Sequence, residues 1–371
     1  MILLLNDFQR LLAIGVNMSE TRALHKSLFS LTKPRVVVLL QITAMCAILS
    51  HDLIKNEKLG LDTLEVMIIV FIGGYLTAGG ANCINMWYDR DIDPIMTRTS
   101  KRPLSIGEIS PQNALVFGIS ISIIGTLWLL EMANEVAAFW ALFSILFYVF
   151  IYTIWLKRTS VQNIVIGGIA GSTPPVIGWA AAEGNLELSM TSTGNFIDSI
   201  INIGGYMPWF MFLLIFLWTP PHFWALALYR SDEYQKVGVP MMPNIKGKNR
   251  TLVEMKIYSI FLILLSFTTP LAFREENYLH ELPDLNSSLI IINSLILTFW
   301  YGATVWKIDI NESNDEENRM PTASHSFFIS LIYLAAMFII LVLSSSNYIV
   351  NGSIISTLFI LYIISRNRDV N

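Results

Sequence analysis

Three oxygen-bearing side chains recur at every fourth residue in one stretch of this chain: Asn85, Asp89 and Asp93. Each step of four residues turns an α-helix by only about 40°, so the three side chains would share one stripe. Such oxygen ligands suit Mg²⁺, which commonly binds one or two carboxylates together with substrate phosphates. Carboxylates alone would repel a diphosphate, whereas bound Mg²⁺ attracts it and stabilises charge on the leaving oxygens. The spacing therefore predicts a catalytic magnesium–diphosphate site formed by these three residues.

Basic residues follow this acidic motif directly. Arg98, Lys101 and Arg102 could donate charge-assisted hydrogen bonds to phosphate oxygens. Ionisable groups at membrane depth are functional by default because isolated burial is expensive, so we predict that these three cations bind the substrate. Asp91 lies between the two aspartates of the stripe and should point elsewhere. A salt bridge to a neighbouring base and a direct metal role are both open for it.

A second candidate segment contains Tyr152 and Lys157, followed by Arg158. Residues five apart are separated by about 140° around an α-helix. Tyr152 and Lys157 can therefore reach one site only if the helix ends between them. In that case they are candidate catalytic residues, with Lys157 binding phosphate. The alternative is an interfacial tyrosine followed by basic side chains that extend toward water.

A third candidate segment contains Pro220, Pro221 and His222. Two prolines free carbonyl groups and kink a helix, and broken helices at membrane depth line cavities. The pattern therefore predicts a cavity wall beside His222, although a lone histidine among aromatic residues is more often a satisfied core residue. Further polar candidates for substrate binding around the same cavity are Asn163, Arg230, Asp232 and Glu233.

The elements that must position these residues are membrane helices. Of the 371 residues, 54% are hydrophobic and 14% are charged, whereas soluble domains carry roughly a quarter charged residues. A span needs about 20 mostly apolar residues and must be helical, because lipid offers no partner to unpaired backbone groups. We predict an all-α polytopic bundle of nine transmembrane helices around a central cavity, with a weaker tenth near 349–365. The nine lie near 34–50, 64–88, 113–131, 136–156, 161–182, 204–229, 255–273, 286–306 and 326–345.

The basic residues predict the orientation of the bundle. With the amino terminus inside, the inner segments hold 19 Lys and Arg and the outer loops hold three. The acidic motif then faces the cytoplasm. Residues 1–33 do not show a basic region, an apolar region and a cleavage site in the order that a signal peptide requires. They also lack the Arg-rich, acid-poor character of an organelle presequence. We therefore expect a bacterial plasma (inner) membrane, with the mitochondrial inner membrane as the alternative.

The same pattern divides the chain into three parts. Residues 1–30 form an amino-terminal cytoplasmic segment, residues 31–345 the intramembrane domain, and residues 346–371 a carboxy-terminal extension that contains the weaker tenth helix. The formal net charge of −4 gives no indication of a nucleic-acid partner.

Several motifs resemble those of the UbiA-type intramembrane prenyltransferases. The Asn85, Asp89 and Asp93 stripe resembles their first acidic motif, and Tyr152 with Lys157 resembles their Tyr/Lys motif. The resemblance covers roughly residues 30–345 and is nearest to the heme-farnesylating branch of the family. The segments that resemble this branch include Thr32-Lys-Pro-Arg35, Asp89-Arg-Asp-Ile-Asp93, Trp218-Thr-Pro-Pro-His-Phe-Trp-Ala-Leu-Ala227 and Gly238-Val-Pro-Met-Met-Pro243.

One segment departs from the family pattern. Quinone-type relatives have a clear second Asp-rich motif, and the heme branch usually has an Asp just before a Tyr at that place. Here Glu233 precedes Tyr234, and Asp232 stands one residue earlier. Both acids are therefore candidates for the role.

The resemblance implies a reaction. Farnesyl diphosphate would lie with its tail among apolar helices and its head on the acidic motif through the cofactor Mg²⁺, while the basic residues and Lys157 neutralise the departing diphosphate. The allylic cation would then be attacked by the 2-vinyl group of heme b, which is a substrate and not a retained cofactor, and water would complete heme O. We hypothesise that His222 contacts heme as an iron ligand, beside a propionate, or beside the ring. The implied partners are farnesyl diphosphate, heme b, the bilayer, and the downstream heme A synthase or terminal oxidase assembly.

Two other functional hypotheses are alternatives to heme farnesylation. Prenylation of an aromatic acid in quinone synthesis uses the same diphosphate chemistry, so the acidic motif does not discriminate, whereas the Trp218–Ala227 segment favours heme. A transporter or passive heme carrier could also contain intramembrane carboxylates. A transporter often has broken helices in corresponding halves, and only one obvious break is visible in this sequence.

Overall fold

The computed structural model of the protein describes residues 18–55, 58–229, 234, 236–273, 285–312, 320–346 and 362. These residues form helices and connecting loops, with no strand among them. The α-helices of eight or more residues in the first half are α1 (Met18–Leu31), α2 (Pro34–Lys55), α3 (Leu61–Tyr88), α4 (Pro111–Met132), α5 (Glu135–Leu146), α6 (Asn163–Ser172) and α7 (Pro174–Glu183). Those that follow, including one short helix, are α8 (Thr193–Ile201), α9 (Met207–Tyr229), α10 (Met242–Phe267), α11 (Thr269–Ala272), α12 (Leu285–Trp306) and α13 (Pro321–Ser344).

Eight helical stretches within the described residues are long and apolar enough to cross a membrane. They coincide with eight of the predicted spans, and α6 and α7 together make one of them. The expected span at 255–273 falls on the second half of α10 and on α11, but every 18-residue stretch of α10 contains at least three charged residues, Arg250, Glu254 and Lys256. The count of nine therefore stays a prediction. The proposed helix at 349–365 lies outside the described residues except for Tyr362, and most of the proposed terminal segments do too.

Small residues let the spans approach each other. A Cβ added at Gly80 of α3 would lie 2.1 Å from the Ser122 Oγ of α4, and one added at Gly178 of α7 would lie 2.4 Å from the Ala44 carbonyl oxygen of α2. Close approach of backbones is the usual basis of helix packing in lipid, where apolar side chains gain nothing by leaving their surroundings. The glycines therefore hold α2, α3, α4 and α7 together as a bundle.

A polar network joins three helices at one end of this bundle. His51 contacts Asp52 through Nδ1 at 2.8 Å and Glu183 through Nε2 at 2.9 Å. Thr63 donates its hydroxyl hydrogen to Asp52 at 2.5 Å. Because α2 ends, α3 begins and α7 ends here, the acidic motif that follows α3 belongs to the opposite end.

Candidate active site

The acidic motif lies where α3 gives way to two short 3₁₀ turns, Asp89–Asp91 and Asp93–Ile95. The Asp89 N–H still donates to the Asn85 carbonyl, so these two residues keep the predicted α-helical register. These turns wind more tightly than an α-helix, and Pro94 has no N–H with which to resume the α-helical pattern. The single α-helix that the spacing argument assumed therefore ends before Asp93. All three side chains are nevertheless buried, with exposures of 3% for Asn85, 0% for Asp89 and 3% for Asp93.

Each residue of the motif is contacted by at least one cation. Lys33 donates from Nζ to the Asn85 Oδ1 at 2.6 Å. Lys157 donates from Nζ to the Asp89 Oδ2, and Arg102 donates from Nη1 to the Asp93 Oδ2 at 2.6 Å. The three cations come from three different segments of the chain and converge on one cluster. Buried carboxylates need such partners, because an unpaired buried charge is expensive.

Asn85 links these groups to one another. Its Nδ2 donates to the Asp89 Oδ2 at 3.0 Å and to the Thr153 Oγ1 at 3.1 Å. Its carbonyl oxygen is thereby turned toward Lys33. The amide is therefore oriented with its one metal-binding atom facing the cation cluster.

Lys33 is a site residue that spacing did not reveal. It precedes Pro34 in the turn between α1 and α2, and its backbone has φ of 51°, which is the left-handed region. Residues other than glycine rarely adopt this backbone conformation, and those that do are concentrated at functional sites. Burial lowers the pKa of the Lys33 ammonium to about 7, and the positive charges of Arg102 and Lys157 act in the same direction. Its only sequence signal is its membership of the Thr32-Lys-Pro-Arg35 motif.

Arg158 pairs with Asp91. Two contacts of 2.7 Å join its guanidinium to both carboxylate oxygens of Asp91. The same guanidinium lies 3.6 Å from the Asp89 Oδ1 and 4.6 Å from the centre of the Tyr88 ring. Of the two roles that were open for Asp91, the structure shows the salt bridge.

Tyr152 and Lys157 reach the same side of their helix by a route that the α-helical geometry did not predict. From Phe147 to Leu156 the chain continues α5 as a π-helix, and the Lys157 N–H donates to the Tyr152 carbonyl. Such a bond between residues five apart stacks them one above the other. The helix therefore does not end between the two residues, and the expectation that it must end there was wrong.

The other predicted residues take varied positions. Arg98 and Lys101 are exposed on the loop after the acidic motif, and only Arg102 of that cluster contacts it. Asn163 is buried, and its Nδ2 donates to the carbonyls of Ser160 at 2.7 Å and Pro240 at 3.3 Å. Arg230, Asp232 and Glu233 lie outside the described residues.

His222 lies within α9, which runs without ending across Pro220 and Pro221. The expected break of this helix is therefore not seen. A membrane helix tolerates proline where neighbouring helices support it. The Thr219 hydroxyl, one residue before the prolines, donates to the Ile215 carbonyl at 2.7 Å. His222 itself is 6% exposed and contacts Ser330 of α13 through Nδ1 at 2.6 Å.

Helix α6 connects the two halves of the site. A Cβ added at Gly167 would lie 2.3 Å from the Tyr152 ring, and one added at Gly168 would lie 3.2 Å from the Thr219 side chain. Ile92, inside the acidic motif, packs against a cluster that includes Ala227 of α9. The acidic motif, Tyr152 and the part of α9 that holds His222 thus belong to one end of the bundle.

Comparison with known proteins identifies the family of this chain. The model of the UbiA prenyltransferase family matches residues 57–332. The chain belongs to this family. Curated relatives named "Protoheme IX farnesyltransferase" include that of Bartonella tribocorum, 38% identical over 85% of this chain and 89% of the relative. That of Symbiobacterium thermophilum is 44% identical over 63% of this chain and 70% of the relative.

Solved structures share the fold. A digeranylgeranylglyceryl phosphate synthase superposes with a TM-score of 0.60 at 19% identity, over 86% of this chain and 98% of the other. A UbiA homologue from Archaeoglobus fulgidus, solved with DMAPP and Mg²⁺, gives 0.51 at 17% identity, over 85% and 99%. The all-helical membrane bundle predicted from the sequence is confirmed, and so is the family. The protein is a multi-pass membrane enzyme, a UbiA-family prenyltransferase.

The residues present fit a hard metal ion of the kind that this family uses. The carboxylates of Asp89 and Asp93 and the amide oxygen of Asn85 all interact with the Lys33 ammonium. The buried Asp89 Oδ1 accepts no hydrogen bond from the part of the chain that the structure describes. The described part of the chain contains no group of three or more His, Cys, Asp or Glu that could enclose a metal. A set this sparse suits Mg²⁺, which completes its shell with phosphate oxygens and water.

Proposed function

We propose that this protein transfers the farnesyl group of farnesyl diphosphate to the 2-vinyl group of heme b, giving heme O and diphosphate. The observation behind the diphosphate chemistry is the buried Asn85, Asp89 and Asp93 set, with at least one cation on each residue. The choice of heme as acceptor is supported by relatives with the corresponding name, which this chain matches over most of their length.

Diphosphate binding follows from the charges at the site. Asn85, Asp89 and Asp93 would hold Mg²⁺, which supplies charge stabilisation on the leaving oxygens when bound. Lys33, Lys157 and the Arg102 guanidinium neutralise the acidic motif in the ligand-free protein. When substrate binds, these cations turn to the diphosphate oxygens, because the phosphates bring more negative charge than the motif alone.

Carbon–oxygen cleavage is then assisted by the same cations. The bond between the first farnesyl carbon and its oxygen breaks, the electron pair leaves with diphosphate, and the allylic cation remains. The heme 2-vinyl group adds to this cation, and water supplies the hydroxyl of the hydroxyethylfarnesyl product with release of one proton. Tyr152, which lies one π-helical turn from Lys157, borders the place where the cation forms.

The membrane and the orientation belong to the same proposal. The charge asymmetry of the loops supports an active site that faces the cytoplasm of a bacterial inner membrane. The downstream heme A synthase or terminal oxidase assembly stays a predicted partner.

A direct assay tests the function. Purified protein in detergent is incubated with heme b, farnesyl diphosphate and Mg²⁺, and heme O is sought by mass spectrometry. Product should form, and it should disappear with chelator and in Asp89→Ala. Asp62→Ala, which changes an exposed acid at the other end of α3, should keep activity.

Other outcomes have distinct meanings. An aromatic acid prenylated in place of heme would move the protein to the quinone branch of the family. Tight heme binding with no prenylated product under any condition would favour a carrier.

A further inference from the structure

The faces of the His222 ring are covered on both sides. Trp218 lies on one neighbouring turn with its ring centre 4.1 Å away and a tilt of 20°, and Phe327 of α13 stacks at 4.7 Å and 24°. Phe223 meets the ring edge-on at 5.0 Å. A porphyrin therefore cannot stack on this imidazole. Only the edge of the ring, which carries the two nitrogen atoms, is available to contact a ligand.

A hydrogen-bond chain places the proton of this imidazole. The Ser330 hydroxyl donates to the Phe327 carbonyl at 2.6 Å. A serine hydroxyl has a single proton, so its oxygen must accept in its 2.6 Å contact with the His222 Nδ1. The Nδ1 atom is therefore the protonated nitrogen.

The other nitrogen is then an acceptor with a free lone pair. Nε2 of His222 has no hydrogen-bond partner in the portion of the chain that is described, although the residue is only 6% exposed. Ser330 also accepts at its carbonyl from the Trp218 indole at 2.8 Å, so one residue orients both the imidazole and its covering ring. Histidines that bind metals typically donate their second N–H to an oxygen in this way, which fixes the tautomer and raises the basicity of the ligating nitrogen.

We infer that the Nε2 of His222 is an axial ligand of the heme iron and that Ser330 is the positioning residue that prepares it. This inference rests on the proposed use of heme b as a substrate. It also decides among the three contacts that were open for His222. A neutral imidazole with an unprotonated Nε2 cannot donate to a propionate, and its covered faces exclude ring stacking. Iron is the one part of heme that needs a lone pair.

Heme binding without farnesyl diphosphate tests this inference. Full-length protein in detergent is titrated with ferric heme b and examined by absorption and EPR, and the ferrous form by resonance Raman for an iron–histidine stretch. Wild type should show histidine ligation. His222→Phe, which keeps an aromatic ring between Trp218 and Phe327, should lose it. His222→Gly should regain a nitrogen-ligand spectrum when imidazole is added.

Ser330 is tested by the same titration. Ser330→Ala should weaken heme binding by about tenfold to a hundredfold, the usual effect of removing a partner behind a metal ligand. Ser330→Thr retains the hydroxyl and should bind like wild type. Ser326→Ala is the matched control, since Ser326 is a buried serine one turn earlier on α13 whose oxygen accepts from Thr304. His325→Ala removes an exposed histidine and should have no effect.

Metal-free protoporphyrin IX separates this inference from the proposed function. It has the vinyl groups and propionates of heme but no iron, so wild type should bind it more weakly than heme and His222→Phe should abolish the difference. Ligation that persists in His222→Phe, or equal affinity of wild type for both porphyrins, would overturn the inference while heme O formation left the function intact. Histidine ligation that disappears in His222→Phe, with no heme O from wild type, would uphold the ligand and reject the reaction.

Discussion

Asp89 and Asp91 stand two residues apart, and the same substitution should affect them very differently. The Asp89 side chain is fully buried, and it meets the Lys157 ammonium, the Asn85 amide and, at 3.6 Å, the Arg158 guanidinium. Asp89→Asn removes the charge and keeps the shape. Breaking a buried ion pair costs about 3–5 kcal/mol, because the remaining charge is left without a partner. The ligand-free protein should therefore lose thermal stability.

Activity should fall further. The lost carboxylate also removes a metal ligand, which stabilises the transition state by several kcal/mol. Since about 1.4 kcal/mol corresponds to a factor of ten in rate, we expect turnover to fall by about a hundredfold to a thousandfold. Asp91 has a side chain that is 57% exposed. An exposed pair is worth about 1 kcal/mol or less, so Asp91→Asn should change turnover by less than about fivefold.

The assay measures heme O formation at saturating farnesyl diphosphate, together with the midpoint of thermal unfolding in the same detergent. Magnesium is titrated for both variants, because loss of a ligand raises the concentration needed for half-maximal rate. Equal losses in the two variants would refute the burial argument and return the direct metal role to Asp91. Full activity in Asp89→Asn would remove Asp89 from the metal site.

Three further predictions concern the cations, the packing and the metal. Lys33→Met should raise KM for farnesyl diphosphate by about tenfold to a hundredfold, because a charge-assisted hydrogen bond is worth about 1.5–3 kcal/mol. Lys26→Met, at an exposed site on α1, is the control and should leave KM unchanged. An unaltered KM in Lys33→Met would exclude Lys33 from substrate binding. Gly167→Ala should destabilise the protein by about 1–3 kcal/mol and lower turnover, because the added Cβ displaces the Tyr152 ring. Gly171→Ala is the control, since a Cβ added there meets no atom within 4 Å. Equal effects of the two substitutions would contradict the packing argument. Chelation of divalent cations should abolish heme O formation and added Mg²⁺ should restore it, whereas product in the presence of excess chelator would rule out a metal role.

Hydropathy predicted the spans well because it is a local property. A window of about 20 apolar residues must be helical in lipid whatever its neighbours are. The acidic motif was equally accessible, since Asn85, Asp89 and Asp93 lie within nine consecutive residues. Their ligand chemistry depends on residue type, which does not change on folding.

Backbone winding was less predictable. The π-helix over Phe147–Leu156 aligns Tyr152 with Lys157, and two 3₁₀ turns replace the α-helix between Asp89 and Ile95. Both departures change the angle per residue, whereas a sequence argument has to assume one period. The uninterrupted α9 shows the same limit, since a rule about proline alone does not include the neighbouring helices that can support a helix across two prolines.

By itself, the sequence determined that this chain is a helical membrane bundle with a diphosphate-type acidic motif at one end. Only the tertiary structure decided which groups face one another. Lys33 meets Asn85 across 52 positions, and Ser330 orients His222 across 108 positions. Hydropathy and ligand chemistry belong to single residues and short windows, whereas the pairing of distant side chains depends on how the helices pack and on the glycines that let them approach.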